Sequence, residues 1–196
     1  MGFTREELER LRDTTVPDLV GDEPPRLVFV GINPGLWTAA TQTHFAHPGN
    51  RFYPALHRAG ITPHELDRVD GLTAADRRLL TDRGVAITNL VARATAKASE
   101  LTRDELRRGG EALVERLTRW APAVVAVAGI TAYRSAFGRP KATLGEQPAP
   151  LAGAALWVVP NPSGLNAHET VDSLAAWYRQ VARAAGLDLA HRPADP

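Results

Sequence analysis

The chain has 196 residues, of which 44% are hydrophobic and 23% charged, with a net charge of +1 and no cysteine. This length corresponds to about one domain with a substantial core, and the composition excludes disulfides and thiol chemistry. No apolar stretch approaches the roughly 20 residues of a membrane span. The charged N-terminal sequence lacks the apolar core of a signal peptide, so we expect a cytoplasmic protein with no membrane segment.

Four apolar runs with strand character alternate with helical patterns along the chain. This alternation predicts an α/β fold with a mostly parallel sheet that helices cover on both faces. We find no internal boundary and expect a single domain over 1–196, with its core at about 26–185 and a frayed tail LAHRPADP. The runs are RLVFVG at 26–31, GVAITNL at 84–90, AVVAVAG at 123–129 and ALWVVP at 155–160.

Three helical segments carry recognisable signals. The pairs Thr4–Glu7 and Thr102–Glu105 have the spacing of a capping box, which predicts that a helix begins at each threonine. The Gly109–Gly110 pair weakens the second of these helices locally. A last helix, roughly Glu169 to Ala185, places an apolar stripe at helical spacing that should dock on the sheet.

Two of the predicted strands end in the same way. The first continues as FVGINPGLWT at 29–38 and the last as WVVPNPSGLNAHE at 157–169. Because parallel strands present their carboxyl ends at one edge of the sheet, Asn33 and Asn161 should face one cleft. The prolines hold both asparagines extended, while Gly35 and Gly164 permit unusual backbone conformations or close approaches.

An asparagine amide in such a corner can donate and accept hydrogen bonds at once. It could orient a water molecule or read the edge of a nucleobase, but it cannot act as a strong general base. The alternative is that both corners are ordinary turns, since motifs this short occur often without function. Their joint occurrence at two strand ends of one sheet favours a site.

Other well-known site patterns are missing from the sequence. There is no Walker-type phosphate loop, no G-x-S-x-G nucleophile elbow and no zincin histidine pair. The closest histidines, His44 and His47 in THFAHP, lack the two further ligands that zinc requires, so we predict no metal site.

Four stretches together resemble one enzyme family. GINPG at 31–35, FAHPGNRFY at 45–53, GVAITNLVARATA at 84–96 and NPSGL at 161–165 resemble the mismatch-specific uracil-DNA glycosylases, a branch that includes the thymine-DNA glycosylases. The likeness spans about residues 26 to 180. It implies a three-layer α/β/α sandwich with a short, mainly parallel central sheet.

The resemblance also implies an activity. Such enzymes are monofunctional hydrolases that remove uracil, and some damaged pyrimidines such as ethenocytosine, from mismatched double-stranded DNA and so initiate base excision repair. They need no metal or cofactor, and they flip the target base out of the stack. We expect a monomer. Two alternatives stay open: a catalytically silent binder of damaged DNA, and a small-nucleotide hydrolase that uses the same cleft.

The catalytic residues implied by the resemblance are Asn33 and Asn161. Asn33 would position the attacking water, and Asn161 would shape the site around the sugar. With an amide in place of a carboxylate, most of the acceleration must come from positioning and from hydrogen bonds to the departing base, so we expect a slow enzyme.

The same resemblance implies a base pocket. Phe45 would stack on the flipped base, although a phenylalanine here could also be a core residue. Backbone groups near Ile32 and Phe45 would read the base edge, and Thr38 would exclude the 5-methyl group of thymine. The role of Asn89 is open. The implied pocket consists of Gly31, Ile32, Gly35, Thr38, Phe45 and Asn89.

The implied DNA face includes a wedge and several polar contacts. Leu165 would enter the duplex in place of the flipped base, or else act as a helix staple. Ser163 and the start of the last helix would hold phosphate. Where one branch of the family continues with serine and arginine, this chain has Asn166, Ala167 and His168. The implied DNA-binding residues are Ser163, Gly164, Leu165, Asn166, His168, Arg93 and Lys97, of which the last two could equally be solvated surface.

Overall fold

The four predicted apolar runs form parallel strands of one five-stranded sheet. The computed structural model describes residues 2–190, so residues 191–196 of the predicted tail lie outside the described residues. The strand order across the sheet is β2-β1-β3-β5-β4. The strands are β1 (Leu27–Gly31), β2 (Val85–Asn89), β3 (Val124–Ala128), β4 (Gly145–Glu146) and β5 (Ala155–Val159).

The short strand β4 was absent from the sequence prediction. It pairs antiparallel with β5, with Gly145 opposite Val158 and Glu146 opposite Trp157. Two residues are too few to show the alternation that identifies a strand, so only its pairing reveals it.

Seven α-helices pack around the sheet within residues 2–190. The side chains of Thr4 and Thr102 cap their helices and complete the predicted capping boxes with Glu7 and Glu105. None of these helices is both long and apolar enough to cross a membrane. The helices are α1 (Arg5–Glu9), α2 (Leu36–Thr41), α3 (Phe52–Arg58), α4 (Ala74–Asp82), α5 (Arg103–Trp120), α6 (Ile130–Phe137) and α7 (Val171–Ala184).

Helices cover both faces of the sheet, which confirms the predicted three layers. Successive side chains of a strand point to opposite faces. Phe29 accordingly packs in a core cluster with α3 and α7, whereas Val28 and Val30 pack in a second cluster with α5 and α6. All five residues of β1 are buried, as expected for a strand between two helical layers.

The Gly109–Gly110 pair has a packing role in α5. A Cβ atom on Gly109 would lie 2.6 Å from the carbonyl oxygen of Leu90, just beyond β2, and one on Gly110 would lie 3.0 Å from the carbonyl oxygen of Ala136. The helix can therefore approach the sheet and α6 closely only because these residues lack side chains. The glycines that weaken the helix locally are what allow it to dock.

The carboxyl ends of β1 and β2 lie side by side, with Gly31 in register with Asn89. The polar loops that follow β1, β2 and β5 emerge at this edge. The last helix begins at Val171, with Thr170 as its cap, so Ser163 lies in the preceding loop. The expectation that Ser163 and the start of the last helix hold phosphate stays a prediction, with the two groups on successive segments of the chain.

Candidate active site

The corner at the end of β1 holds the side chain of Asn33 in one orientation. Its amide nitrogen Nδ2 lies 3.1 Å from the carbonyl oxygens of both Pro34 and Arg93, and 2.8 Å from Thr95 Oγ1. Because a carbonyl oxygen can only accept, the NH2 end of the amide must face these groups. The side-chain oxygen Oδ1 has no hydrogen-bond partner among residues 2–190. It remains available as an acceptor.

Thr95 completes this corner, although the sequence did not single it out. Its hydroxyl donates to the carbonyl oxygen of Lys97 at 2.9 Å and therefore accepts from Asn33. Its backbone N–H donates to the carbonyl oxygen of Pro34 at 3.1 Å. Thr95 is fully buried and pairs in parallel with Gly35. The run ARATA contains no motif that marks its threonine as a site residue, so only the pairing with Gly35 locates Thr95 at this corner.

A cavity of about 490 Å³ opens beside the Asn33 corner. This volume lies within the usual range for small-ligand sites. Within residues 2–190, no acidic side chain lines it, so any polar chemistry at its wall depends on amides, hydroxyls, imidazole and backbone groups. Of the predicted site residues, the lining includes Asn33, Gly35, Thr38, Phe45, Asn89, Ser163, Gly164 and Leu165.

Phe45 combines an unusual backbone with a covered ring face. Its φ angle is +56°, in the left-handed region that costs a non-glycine residue about 1–3 kcal/mol. The ring stacks on Phe52 with centroids 4.2 Å apart and 24° between the planes. Since Phe52 is fully buried, Phe45 is fixed against the core, and it also lines the cavity. The two alternatives raised by the sequence, core residue and pocket residue, both describe part of its environment.

Asn89 lies at the cavity wall and is almost fully buried. Its Nδ2 atom is 2.9 Å from Nδ1 of His44, which is buried as well. Its Oδ1 atom lies only 2.3 Å from the point where a Cβ atom on Gly31 would be. Gly31 therefore provides the space that this amide occupies, and it supports the pocket from behind the wall.

Thr38 and Gly35 line the cavity from α2 and its N-terminus. Thr38 is 5% exposed, so it forms a fixed part of the wall. Gly35 caps α2 with an ordinary φ of −76°, and a Cβ atom there would meet nothing within 4 Å. The expectation that Gly35 is needed for an unusual conformation or a close approach is wrong for this structure.

The side chain of Ile32 packs outside the cavity lining. Its carbonyl oxygen accepts from Val91 N–H at 3.0 Å. Its side chain reaches towards Gly129 at the end of β3, and Ile32 is not among the residues that line the cavity. The expectation that backbone groups near Ile32 read the base edge stays a prediction, because these contacts do not test it.

The loop after β5 uses its asparagines to hold its own shape. Asn161 Oδ1 accepts from the backbone N–H of Ser163 at 3.0 Å, and Asn166 Nδ2 donates to the carbonyl oxygen of Asn161 at 3.0 Å. Asn161 does not line the cavity that contains Asn33. Its observed contacts are those of a turn residue.

Arg51 and Gly164 clamp this loop against the turn before α3. The guanidinium of Arg51 donates from Nη1 to the carbonyl oxygens of Ser163 and Asn166, at 3.1 and 3.0 Å. A Cβ atom on Gly164 would lie 2.4 Å from the carbonyl oxygen of Gly49. Gly164 is therefore required for a close approach, as the sequence analysis expected, whereas Arg51 was missed because its partners are distant in the chain.

The clamped loop carries Leu165 at its tip. This side chain is 92% exposed and also lines the mouth of the cavity. Only one other large hydrophobic residue among the described ones is exposed, Leu144 at 36%. The staple alternative requires a packed leucine, so the structure does not support it.

A family model for the Uracil DNA glycosylase superfamily matches residues 18–184. The chain belongs to this superfamily. Membership implies a glycosidase of the hydrolase class that acts on uracil in DNA and functions in base excision repair. DNA is therefore its expected partner.

The predicted basic contacts of this glycosylase differ in their environment. Arg93 is held by Glu105 at 2.5 Å and by Asp13 at 2.8 Å, so its guanidinium is engaged within the protein. Lys97 and His168 are exposed. Glu105 also caps α5 through Thr102, and the hydrogen bonds from Arg93, followed by those with Thr102, lower the pKa of Glu105 to about 2. Arg93 thus stabilises the segment that holds Asn33, and its expected role as a free phosphate contact is not supported.

The described part of this glycosylase shows no cluster of three or more acidic, histidine or cysteine residues suited to a metal ion. His44 and His47 have separate partners. His44 lies between Pro17 and Asn89, while His47 Nδ1 accepts from the backbone N–H of Gly49 at 3.1 Å.

Proposed function

We propose that this protein is a monofunctional DNA glycosylase that hydrolyses the N-glycosidic bond of uracil in mismatched double-stranded DNA. The observation that carries the proposal is the orientation of Asn33. Its amide nitrogen is bound by three acceptors, so its oxygen is the free acceptor beside a cavity whose mouth carries an exposed leucine. Some damaged pyrimidines are expected substrates as well.

In the proposed reaction Asn33 Oδ1 accepts a hydrogen bond from the attacking water. The water oxygen bonds to the anomeric carbon of the sugar, the bond from that carbon to the base nitrogen breaks, and the base leaves with the bonding electrons. The water proton passes to solvent, because a neutral amide cannot take it. Among residues 2–190 the lining offers no carboxylate to assist, so positioning and stabilisation of the departing anion supply the acceleration, and turnover is slow.

Phe45 and Thr38 would determine which base fits. The uncovered face of Phe45 is suited to stacking on the base, since Phe52 supports the ring from behind. The backbone N–H of Phe45 has no acceptor among residues 2–190 and could donate to a base oxygen. Thr38 is buried and fixed, so a 5-methyl group on the base would meet a wall that cannot retreat.

Leu165 would replace the flipped base in the duplex. Exposing a leucine forgoes up to about 3 kcal/mol of burial energy, and insertion between base pairs recovers part of it. This offsets the few kcal/mol that base flipping costs. The polar loop residues Ser163, Asn166 and His168, together with Lys97, lie near enough in the chain to the mouth residues to contact the DNA backbone.

Excision from a panel of duplexes tests the proposal. Each duplex carries uracil, thymine, hypoxanthine or ethenocytosine opposite each of the four bases, and alkali converts every excised site into a strand break. We expect cleavage at uracil. Excision of thymine should be slower by at least about tenfold, because a pocket of fixed shape discriminates by about that factor between substrates that differ by one methyl group. Addition of EDTA should leave the rate unchanged.

The Leu165→Ala variant gives an independent measurement. We expect excision from duplex DNA to fall by about tenfold or more, and excision of uracil from single-stranded DNA to stay within about twofold, because no stack has to be filled there. Equal loss on both substrates would contradict the wedge role.

Two experimental results would contradict the proposed function and indicate a different one. Binding of uracil-containing duplex without any cleavage would identify a silent binder of damaged DNA. Turnover of free deoxyuridine without dependence on Leu165 would identify a small-nucleotide hydrolase.

A further inference from the structure

The buried imidazole of His44 has a defined proton arrangement. Its Nε2 atom lies 3.0 Å from the carbonyl oxygen of Pro17. A carbonyl oxygen can only accept, so Nε2 must carry the hydrogen. Burial, which is the largest effect at this site, lowers the pKa of His44 and so favours the neutral ring. Nδ1 therefore has a free lone pair and acts as an acceptor.

This acceptor determines which way the amide of Asn89 points. Nδ1 of His44 lies 2.9 Å from the Asn89 side chain, and a bare ring nitrogen can pair only with the NH2 end of the amide. The oxygen Oδ1 must then lie on the other side. There it occupies the space over Gly31, beside the ring of Phe45, whose Cζ atom is 3.1 Å from the same point where a Gly31 Cβ would be.

Both ends of this arrangement are fixed by the fold. His44 is 4% exposed, and its own carbonyl oxygen accepts from the hydroxyl of Tyr53 at 3.0 Å. Asn89 is the last residue of β2, and its carbonyl oxygen accepts from Arg116 at 2.7 Å. Neither side chain can rotate without leaving a buried polar group unpaired, which is costly.

We propose that His44 is a positioning residue that turns the amide oxygen of Asn89 towards the base pocket, so that the pocket favours a base edge carrying an N–H group. The inference rests on the proposed function, since it names what the same pocket recognises. Uracil has such an edge, because its ring nitrogen N3 carries a hydrogen. In 3,N4-ethenocytosine both N3 and N4 belong to the etheno ring and carry none.

The test compares excision of uracil with excision of ethenocytosine by the same variant. In His44→Leu the amide of Asn89 loses its acceptor and is free to turn. We expect the ratio of the uracil rate to the ethenocytosine rate to fall about tenfold, because that factor corresponds to the free energy that one hydrogen bond contributes. A folding defect alone lowers both rates equally and leaves the ratio unchanged.

A matched control and a second route keep the test specific. His57 also contacts a backbone carbonyl, that of Thr62 at 3.2 Å, but it lies on α3 outside the cavity lining, so His57→Leu should leave the ratio unchanged. In Gly31→Ala the new methyl group would meet Asn89 Oδ1 at 2.3 Å and the ring of Phe45 at 3.1 Å, but not His44. Because Phe45 would stack on either base, its displacement should lower both rates, and the ratio should still fall as in His44→Leu.

A double-mutant cycle separates positioning from direct contact. Asn89→Leu removes the acceptor itself and should lower the ratio by about tenfold. If His44 acts through Asn89, then adding His44→Leu to Asn89→Leu should change the ratio no further. A further independent loss in the double variant would overturn the inference.

The proton arrangement of His44 can be measured without any variant. The 15N chemical shifts of the imidazole should report a neutral ring protonated at Nε2. A ring protonated at Nδ1 would overturn the inference. An unchanged rate ratio in His44→Leu, with wild-type excision of both bases intact, would also overturn it and leave the proposed function standing. Wild-type protein that excises neither base would instead disprove the proposed function.

Discussion

The two Asn-Pro corners look alike in sequence and differ in what their amides do. The NH2 group of Asn33 donates to three acceptors, and its oxygen lies beside the cavity with no hydrogen-bond partner among residues 2–190. The side-chain oxygen of Asn161 instead accepts a hydrogen bond from the N–H of Ser163, two residues along, and Asn161 lies outside the cavity lining. In the first corner distant residues orient the amide, whereas in the second the amide orients its own loop.

This difference shows how one local motif can serve chemistry or shape. The proline and glycine that follow each asparagine set the path of the chain, but they do not decide which end of the amide is free. That decision comes from the neighbours: Arg93 and Thr95 at the first corner, and the loop backbone at the second.

Asn33→Ala should reduce uracil excision by about 10²–10³-fold, the usual loss when one group positioned for the transition state is removed. The measurement is single-turnover excision from a duplex with uracil opposite guanine. Thermal unfolding serves as the control and should change little. A loss of less than about tenfold would show that the first corner, like the second, only shapes the chain.

Gly164→Ala and Gly35→Ala should differ in stability. At Gly164 the new Cβ would lie 2.4 Å from the Gly49 carbonyl oxygen, so we expect the free energy of unfolding to fall by about 1–3 kcal/mol. At Gly35 there is open space and an ordinary φ. The gain from a less flexible unfolded chain and the loss of a good N-cap residue then oppose each other, and the change should be near zero.

Urea unfolding of both variants measures this difference. Leu165 should also be displaced in Gly164→Ala, which would lower excision from duplex DNA more than excision from single strands. Equal stability losses at the two glycines would show that the close approach at the second corner is unimportant.

Asn161→Ala should have a smaller effect than Asn33→Ala. It removes the hydrogen bond to Ser163 N–H, worth about 1 kcal/mol, and loosens the loop that carries Leu165. We expect a loss of a few-fold on duplex DNA and almost none on single-stranded DNA. A loss of a hundredfold or more on single-stranded DNA would assign Asn161 a direct catalytic role.

Glu105→Gln should flatten the dependence of stability on acid pH. Hydrogen bonds from Arg93, and secondarily from Thr102, lower the pKa of Glu105 to about 2 in the folded protein, against an ordinary value of 4.5. The folded state therefore gains stability from the ionised carboxylate above about pH 4.5 and loses it as the pH falls towards about 2.

Urea unfolding across this pH range provides the measurement. The slope of wild-type stability against pH should be steeper than that of Glu105→Gln between these two values. Because the backbone of Arg93 also accepts from Asn33, excision should weaken with the same acid dependence. Parallel slopes for the two proteins would show that Glu105 does not stabilise the first corner.

Part of the site was predictable because its signals are local. The strand ends and the glycine at 164 follow from short patterns, and Leu165 follows from its place after the motif. Thr95 and Arg51 were missed because their partners lie 62 and more than 100 residues away in the chain. The ion pair between Arg93 and Asp13, which are 80 residues apart in the chain, could not be predicted from the sequence for the same reason.

By itself the sequence determined the four long strands, the capped helix starts and the family motifs, because apolar periodicity and cap spacing act over a few residues. The tertiary structure decided which end of each amide is free, which cation is already paired and which glycine has a backbone against it. These properties depend on contacts between segments far apart in the chain, and such contacts exist only once the sheet and its helices have packed.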